Sequence, residues 1–195
     1  MGTRTECDLT KIEKYAEKCY SDANCHYGDD GGSYMIHIRM VVDFLLKYDI
    51  FKSLDDSIHT VGAAFCHDLM EDAKQTYNNI SMVAGKDVAD IVLGVTDVPA
   101  ENRLMKHLLT MGKTVRDYRA IILKMADIYS NAKYSKESGS SMYPKYVAEY
   151  LYRRPIFGTA FMWYRNDLNE KALLEIFRKL DEIHNYKGYA ENLIE

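Results

Sequence analysis

Ala63-Ala64-Phe65-Cys66-His67-Asp68-Leu69-Met70-Glu71-Asp72 sets a histidine and an aspartate side by side at the end of a strongly apolar run. How this stretch is read decides the fold. Ile58, Val61, Gly62, Ala64 and Phe65 recur at helical steps and mark the closely packed inner face of a helix over Asp55 to Glu71. Carrying His67 and Asp68 into such a face without partners costs several kcal/mol, and a divalent metal is an economical partner for both.

Two further residues give the pair its meaning. His37 lies on the stripe Ile36, Met40, Val41, Phe44 and Leu45 of a helix over Tyr34 to Lys47. Asp127 ends the apolar run Ile121-Ile122-Leu123-Lys124-Met125-Ala126-Asp127, within a helix over Thr114 to Tyr134. Alone, a histidine on an apolar face is usually a satisfied core residue, and an aspartate in such a helix usually bonds a neighbouring helix end. The order His, His-Asp, Asp on successive core helices instead supplies two imidazoles and two carboxylates to one point. That mixed nitrogen and oxygen set suits Mn²⁺, Fe²⁺, Co²⁺ or Zn²⁺ rather than Ca²⁺.

The rest of the chain reads as helix as well. Periodic apolar residues place helices over Asp8 to Cys25, Ile80 to Ala84, Lys86 to Val95, Glu101 to Leu109, Lys145 to Arg153, Ile156 to Tyr164 and Leu168 to Tyr186. The stretch Gly28-Asp29-Asp30-Gly31-Gly32-Ser33 is a turn-rich break, and Ser135 to Ser141 a polar loop. No alternating run reads as a strand, so the fold class is all-α. With 195 residues, 47% of them hydrophobic, the chain suits one domain with a terminal extension. Three prolines leave room for long helices.

A net charge of −4 gives no support to a nucleic-acid surface, though it leaves room for a local basic pocket. Cys7, Cys19, Cys25 and Cys66 show no metal or disulfide spacing, which points to free thiols and a cytoplasmic protein. The charged, periodic start from Met1 to Lys18 has no signal-peptide core. No apolar run approaches the roughly 20 residues that span a bilayer, so no membrane is expected.

The sequence resembles the HD superfamily. Within it, the chain is similar to the hydrolase domain of RelA/SpoT-type proteins and the stand-alone small alarmone hydrolases. The pieces that carry the resemblance are Gly32-Ser33-Tyr34-Met35-Ile36-His37, His67-Asp68-Leu69-Met70-Glu71-Asp72, Val95-Thr96-Asp97 and Leu123-Lys124-Met125-Ala126-Asp127-Ile128-Tyr129-Ser130-Asn131. They recur in the family's order, between about residue 10 and about residue 155. The resemblance implies an HD-domain helical bundle over 8–155 and a C-terminal helical extension over 156–195. It implies that His37, His67, Asp68 and Asp127 hold one metal ion, usually Mn²⁺, and that Glu71 and Asp72 handle the attacking water. Glu71 stands four residues beyond His67, one helical turn, and so faces the same cavity.

For the substrate, a small phosphorylated nucleotide, the resemblance implies contacts from Asn131, Arg103, Tyr34, Lys145 and Tyr150, with Lys106 a further source of positive charge. The activity it implies is (p)ppGpp 3′-pyrophosphohydrolysis, a metal-bound hydroxide attacking the 3′-diphosphate. One departure keeps other substrates open. The loop Cys25 to Gly32 carries Asp29 and Asp30 where alarmone hydrolases carry a basic pair. A dNTP, a cyclic nucleotide or the 2′-phosphate of NADPH is therefore the alternative, and a nucleotide-binding module without turnover the third reading. The segment with Ile156, Phe157, Phe161 and Trp163 is either a packing helix pair or a homo-oligomer contact.

Overall fold

The computed structural model describes residues 7–28 and 31–188. The first six residues, the loop acids Asp29 and Asp30, and residues 189–195 lie outside the described residues. Helices α1 (Leu9–Asp22), α2 (Met35–Lys47), α3 (Leu54–Cys66), α4 (Tyr77–Ala84), α5 (Lys86–Val95), α6 (Arg103–Thr114), α7 (Tyr118–Glu137), α8 (Tyr143–Tyr164) and α9 (Glu170–Ile183) make up the described fold. Between α1 and α2 two short strands, β1 (His26–Tyr27) and β2 (Gly32–Ser33), pair antiparallel. The all-α reading holds; two residues per strand are too few to leave an alternating pattern in the sequence.

Side chains that satisfy the first free amides start most helices. Asp8 accepts from Lys11 N, Ser53 from Asp56 N, Asn102 from Met105 N and Asp117 from Arg119 N. Thr76 and Asn79 close a reciprocal capping box on α4. The bundle is assembled around α7, which packs on α2, α3, α5, α8 and α9. Ala120, Ile121, Ile122, Leu123, Met125 and Ala126 are all buried, so most of the circumference of α7 meets protein. α3 lies tight against α1 and α5 at Gly62. A Cβ there would stand 3.2 Å from Val88 Cγ2 and 3.3 Å from Ile12 Cδ1, leaving no slack for a side chain.

Two boundaries differ from the sequence reading in ways that matter. α3 stops at Cys66 rather than Glu71, and His67 to Asp72 form a succession of turns with Glu71 N and Asp72 N both bonded to Asp68 O. The stretch carries three carboxylates, which a helix C-terminus disfavours. The helices expected on either side of Pro155 are one, α8, so residue 156 falls inside a helix instead of opening an extension. Pro155 lacks an amide to bond Leu151 O, but both residues are exposed, so the unpaired carbonyl is open to solvent and its cost is small. The buried side of α8, with Tyr150, Arg154 and Phe157, holds the helix straight through.

That buried side is where α9 docks. Leu173, Ile176, Phe177 and Leu180 are buried, and Phe161 meets Phe177 edge to face. Trp163, by contrast, is 68% exposed. Arg154 grips Asp181 through both oxygens, Nε at 2.8 Å and Nη2 at 3.2 Å, while Tyr150 Oη donates to the same carboxylate at 2.6 Å. Asn169 N bonds Ile50 O at 2.7 Å and ties the approach to α9 to the loop after α2. Replacing Asp181 with Ala strands a buried guanidinium, and a loss of about 3–5 kcal/mol in unfolding free energy is expected. Guanidinium-chloride unfolding measures it; a loss below about 1 kcal/mol would mean that α9 is not integral to the core.

Candidate metal centre

Three helices deliver the donors. His37 stands in the first turn of α2, His67 caps the end of α3 with Asp68 beside it, and Asp127 sits in the middle of α7. His37 Nε2 and His67 Nε2 are 3.2 Å apart. Asp68 Oδ2 lies 3.6 Å from the first and 3.2 Å from the second. Asp127 Oδ1 lies 3.4 Å and 3.8 Å from them. Donor atoms bound at about 2.1 Å to one ion stand roughly 3.0–3.4 Å from each other, so this is the spacing of a coordination shell. His67 Nδ1 donates to Ala64 O at 2.8 Å, which turns the Nε2 lone pair toward the other donors. His37, His67 and Asp127 could hold a divalent metal ion, and Asp68 completes a mixed nitrogen and oxygen set of the kind transition metals favour.

The electrostatics agree. Burial disfavours a charged His37, yet hydrogen bonds that it donates to Asp127 and Asp68 hold its pKa up at about 9. Asp68 is held well below the carboxylate range by His67 and His37, against its burial. Two buried carboxylates here demand positive charge, which either protons on the imidazoles or a cation supplies.

Around the donors is a set of side chains that fix them. Tyr34 Oη lies between two carboxylates, 2.8 Å from Asp68 Oδ2 and 2.6 Å from Asp72 Oδ2, with one proton to share between them. Asn131 Nδ2 donates to Asp127 Oδ1 at 2.6 Å, and Lys124 Nζ lies 3.1 Å from Asp127 Oδ2. Glu71 Oε1 accepts from Asp97 N at 2.8 Å. Burial pushes the Glu71 carboxyl up to about 7, where it exchanges protons near neutral pH. Tyr34, Glu71, Asp97, Lys124 and Asn131 line a cavity of about 160 Å³ together with Arg103, Lys106 and Arg153.

Of the substrate contacts expected from the sequence, Tyr34, Arg103 and Asn131 line this cavity. Lys145 and Tyr150 do not. Lys145 is exposed and reaches only Met142 Sδ, and Tyr150 is buried in the α8–α9 interface with its hydroxyl bound to Asp181. They stand on the same helix as a residue that does line the cavity, Tyr146, but α9 claims the side on which Tyr150 lies. Lys124 and Arg153 went unassigned in the sequence. A lysine inside the apolar run Ile121 to Ala126 is the signal that marks the first; nothing local distinguishes Arg153 from Arg154.

The model of the HD domain family matches residues 13–151. A guanosine-3′,5′-bis(diphosphate) 3′-pyrophosphohydrolase of Spiroplasma citri is 30% identical over 140 residues, 67% of this chain and 18% of the relative. The bifunctional (p)ppGpp synthase/hydrolase SpoT of Escherichia coli K12 is 34% identical over 85 residues, 38% of this chain and 12% of the relative. The chain thus spans less than a fifth of these relatives' length. A solved structure described as a metazoan ortholog of SpoT that hydrolyzes ppGpp is similar in fold, with a TM-score of 0.59 and 19% identity over 96% of this chain and 99% of that one. The likeness of fold takes in α8 and α9.

Metal and protons compete for the same positive-charge requirement. His37, with its pKa raised from 6.5 to about 9, contributes stability that is full below pH 6.5 and lost as pH rises through 9. The chelator-treated protein should therefore lose melting temperature across that range, while its apparent affinity for Mn²⁺ rises. Calorimetric titrations and thermal melts at matched pH check both, and His67→Ala should abolish the Mn²⁺-induced rise in melting temperature. A melting temperature that climbs across this range would contradict the assignment.

Proposed function

The chain belongs to the HD domain family, and from that membership we propose that it is a phosphohydrolase acting on a small nucleotide, cleaving the 3′-diphosphate of a (p)ppGpp-type substrate. The observation that carries this reading is the convergence of His37, His67, Asp68 and Asp127 on one point, at the wall of a cavity that Glu71 also lines. The activities for which the Spiroplasma citri and Escherichia coli relatives are named support the choice of substrate. These four side chains would hold one divalent ion, with Mn²⁺ first among the candidates. Such an ion, when bound, supplies a lowered pKa for water and charge stabilisation for a phosphoryl oxygen.

Each of the chain's own groups has a task. Glu71, titrating near neutrality, accepts a proton from the attacking water. Its bond from Asp97 N holds the carboxylate in place for that transfer. Asp72, tied through Tyr34 to Asp68, orients the same water. The water oxygen bonds to the inner phosphorus of the 3′-diphosphate and the ester bond to the 3′ oxygen breaks. That oxygen takes up a proton, and pyrophosphate and a 5′-phosphorylated nucleoside result. Asn131, fixed between Tyr27 Oη and Asp127, faces the nucleoside. Among the described residues no helix is long and apolar enough to cross a membrane. The four cysteines are free, in keeping with a cytoplasmic site of action.

Glu71→Gln keeps the shape of the site and removes the base. A fall in kcat of about a hundred- to ten-thousand-fold is expected, with the Mn²⁺-induced rise in melting temperature retained. In the parent protein kcat/KM should climb with pH and flatten at or below about 7, since a bound cation lowers the Glu71 pKa. Pyrophosphate release from ppGpp, followed with Mn²⁺ and with chelator, measures both. Turnover by the variant within about threefold of the parent, or turnover indifferent to chelator, would remove the reading.

A further inference from the structure

The cavity is not symmetric about its four donors. On one side Asn131 and Tyr146 lead into a neighbouring hollow walled by Tyr27, Tyr134 and Met142, a surface suited to a ring. On the other side Lys124 leads toward Arg153, Arg103 and Lys106. The cations on this basic side are not paired alike. Lys106 has Asp97 at 2.5 Å, and Lys124 has Asp127. Arg103 and Arg153 share a single carboxylate, Glu149: Arg103 bonds it through Nε and Nη2, and Arg153 Nη2 lies 3.4 Å from Oε2.

Arg153 is the more telling of the two. Its side chain is only 9% exposed, it lines the cavity, and its Nε is a buried donor with no partner among the described residues. A buried guanidinium donor left unmatched is costly unless an anion arrives to take it. His107, beside the pair, is held neutral at physiological pH by burial and by Arg153, its pKa pushed down to about 4. The field here is positive enough to deter a further charge.

We propose that Arg153 and Arg103, clamped side by side by Glu149, seat the terminal phosphate of a diphosphate ester whose inner phosphate lies at the four-donor centre. The cavity then selects diphosphate esters over monophosphate esters of the same nucleoside. This rests on the phosphohydrolase reading and sharpens it, since a substrate carrying one phosphate at the reacting position leaves the arginine pair unfilled. Arg153 is a specificity-determining residue in this scheme, and Glu149 positions it.

The test compares a nucleoside 3′-diphosphate with the corresponding 3′-monophosphate in the full chain loaded with Mn²⁺. Arg153→Gln should cut the preference in kcat/KM for the diphosphate by roughly tenfold or more, with Arg153→Lys in between. Calorimetry with inorganic pyrophosphate and inorganic phosphate supplies a readout without turnover. Pyrophosphate should bind the parent protein more tightly than phosphate by roughly tenfold or more, and Arg153→Gln should erase that margin. An unchanged preference in the variant, with an unchanged margin for pyrophosphate, overturns the proposal. If the parent protein turns over neither ester, the phosphohydrolase reading fails while the calorimetric comparison still decides the anion seat. Should Arg153→Gln not fold, Arg103→Gln, at a half-exposed position, carries the same comparison.

Discussion

Two carboxylates and two imidazoles held within hydrogen-bond range in a mostly buried spot form the constraint on which this structure turns. Asp68 and Asp127 are both kept ionised against their burial, Asp127 by Lys124 together with His37 and His67, and Asp68 by His67 and His37. Such a cluster does not hold itself together. α2, α3 and α7 must approach closely and keep their register, and the apolar girdle of α7 provides that. The absence of a side chain at Gly62 lets α3 settle against α1 and α5, so that its last residue presents His67 at the right depth.

Outside the four donors, polar groups are arranged in pairs that leave little freedom. Tyr34 bridges two carboxylates, Asn131 passes a hydrogen bond from Tyr27 to Asp127, and a backbone amide fixes Glu71. Hydrogen bonds of this kind orient ligands and bases before any substrate arrives, which is where much of a phosphohydrolase's advantage resides. The two ends of the cavity differ in kind, one aromatic and one basic. A nucleotide has the same polarity, with a ring at one end and phosphates at the other.

That His37, His67, Asp68 and Asp127 meet was legible in the sequence because each sits in an apolar run that gives a polar side chain little other use. His37, His67-Asp68 and Asp127 stand out against Ile, Val, Leu and Ala neighbours, and helical periodicity alone puts them on inner faces. The end of α3 was not legible, since the apolar period carries on through Leu69 and Met70 while backbone bonding changes to turns at His67. Nor was the continuity of α8. Proline biases against a helix, but burial on the far side overrides a single lost bond at an exposed position. Tyr146, Glu149, Tyr150 and Arg153 form one stripe by spacing, and only the docking of α9 divides it. Tyr150 goes to Asp181 while Tyr146 and Arg153 face the cavity.

Arg153 and Arg154 make the same point at the level of one side chain. They are adjacent, of one type, and almost equally buried, so neither composition nor burial tells them apart. What separates them is the supply of carboxylate. Arg154 is bound through both oxygens of Asp181, which it shares with the neutral Tyr150 hydroxyl, and stacks on Phe177 at 4.1 Å. That guanidinium faces α9 rather than the cavity, and its role is to fasten α9. Arg153 shares Glu149 with Arg103 and keeps one donor unmatched. A guanidinium in the wall of a polar cavity that shares its carboxylate and has an unbonded Nε among the described residues has hydrogen-bonding capacity to give an anionic ligand, which is what the proposed phosphate seat requires.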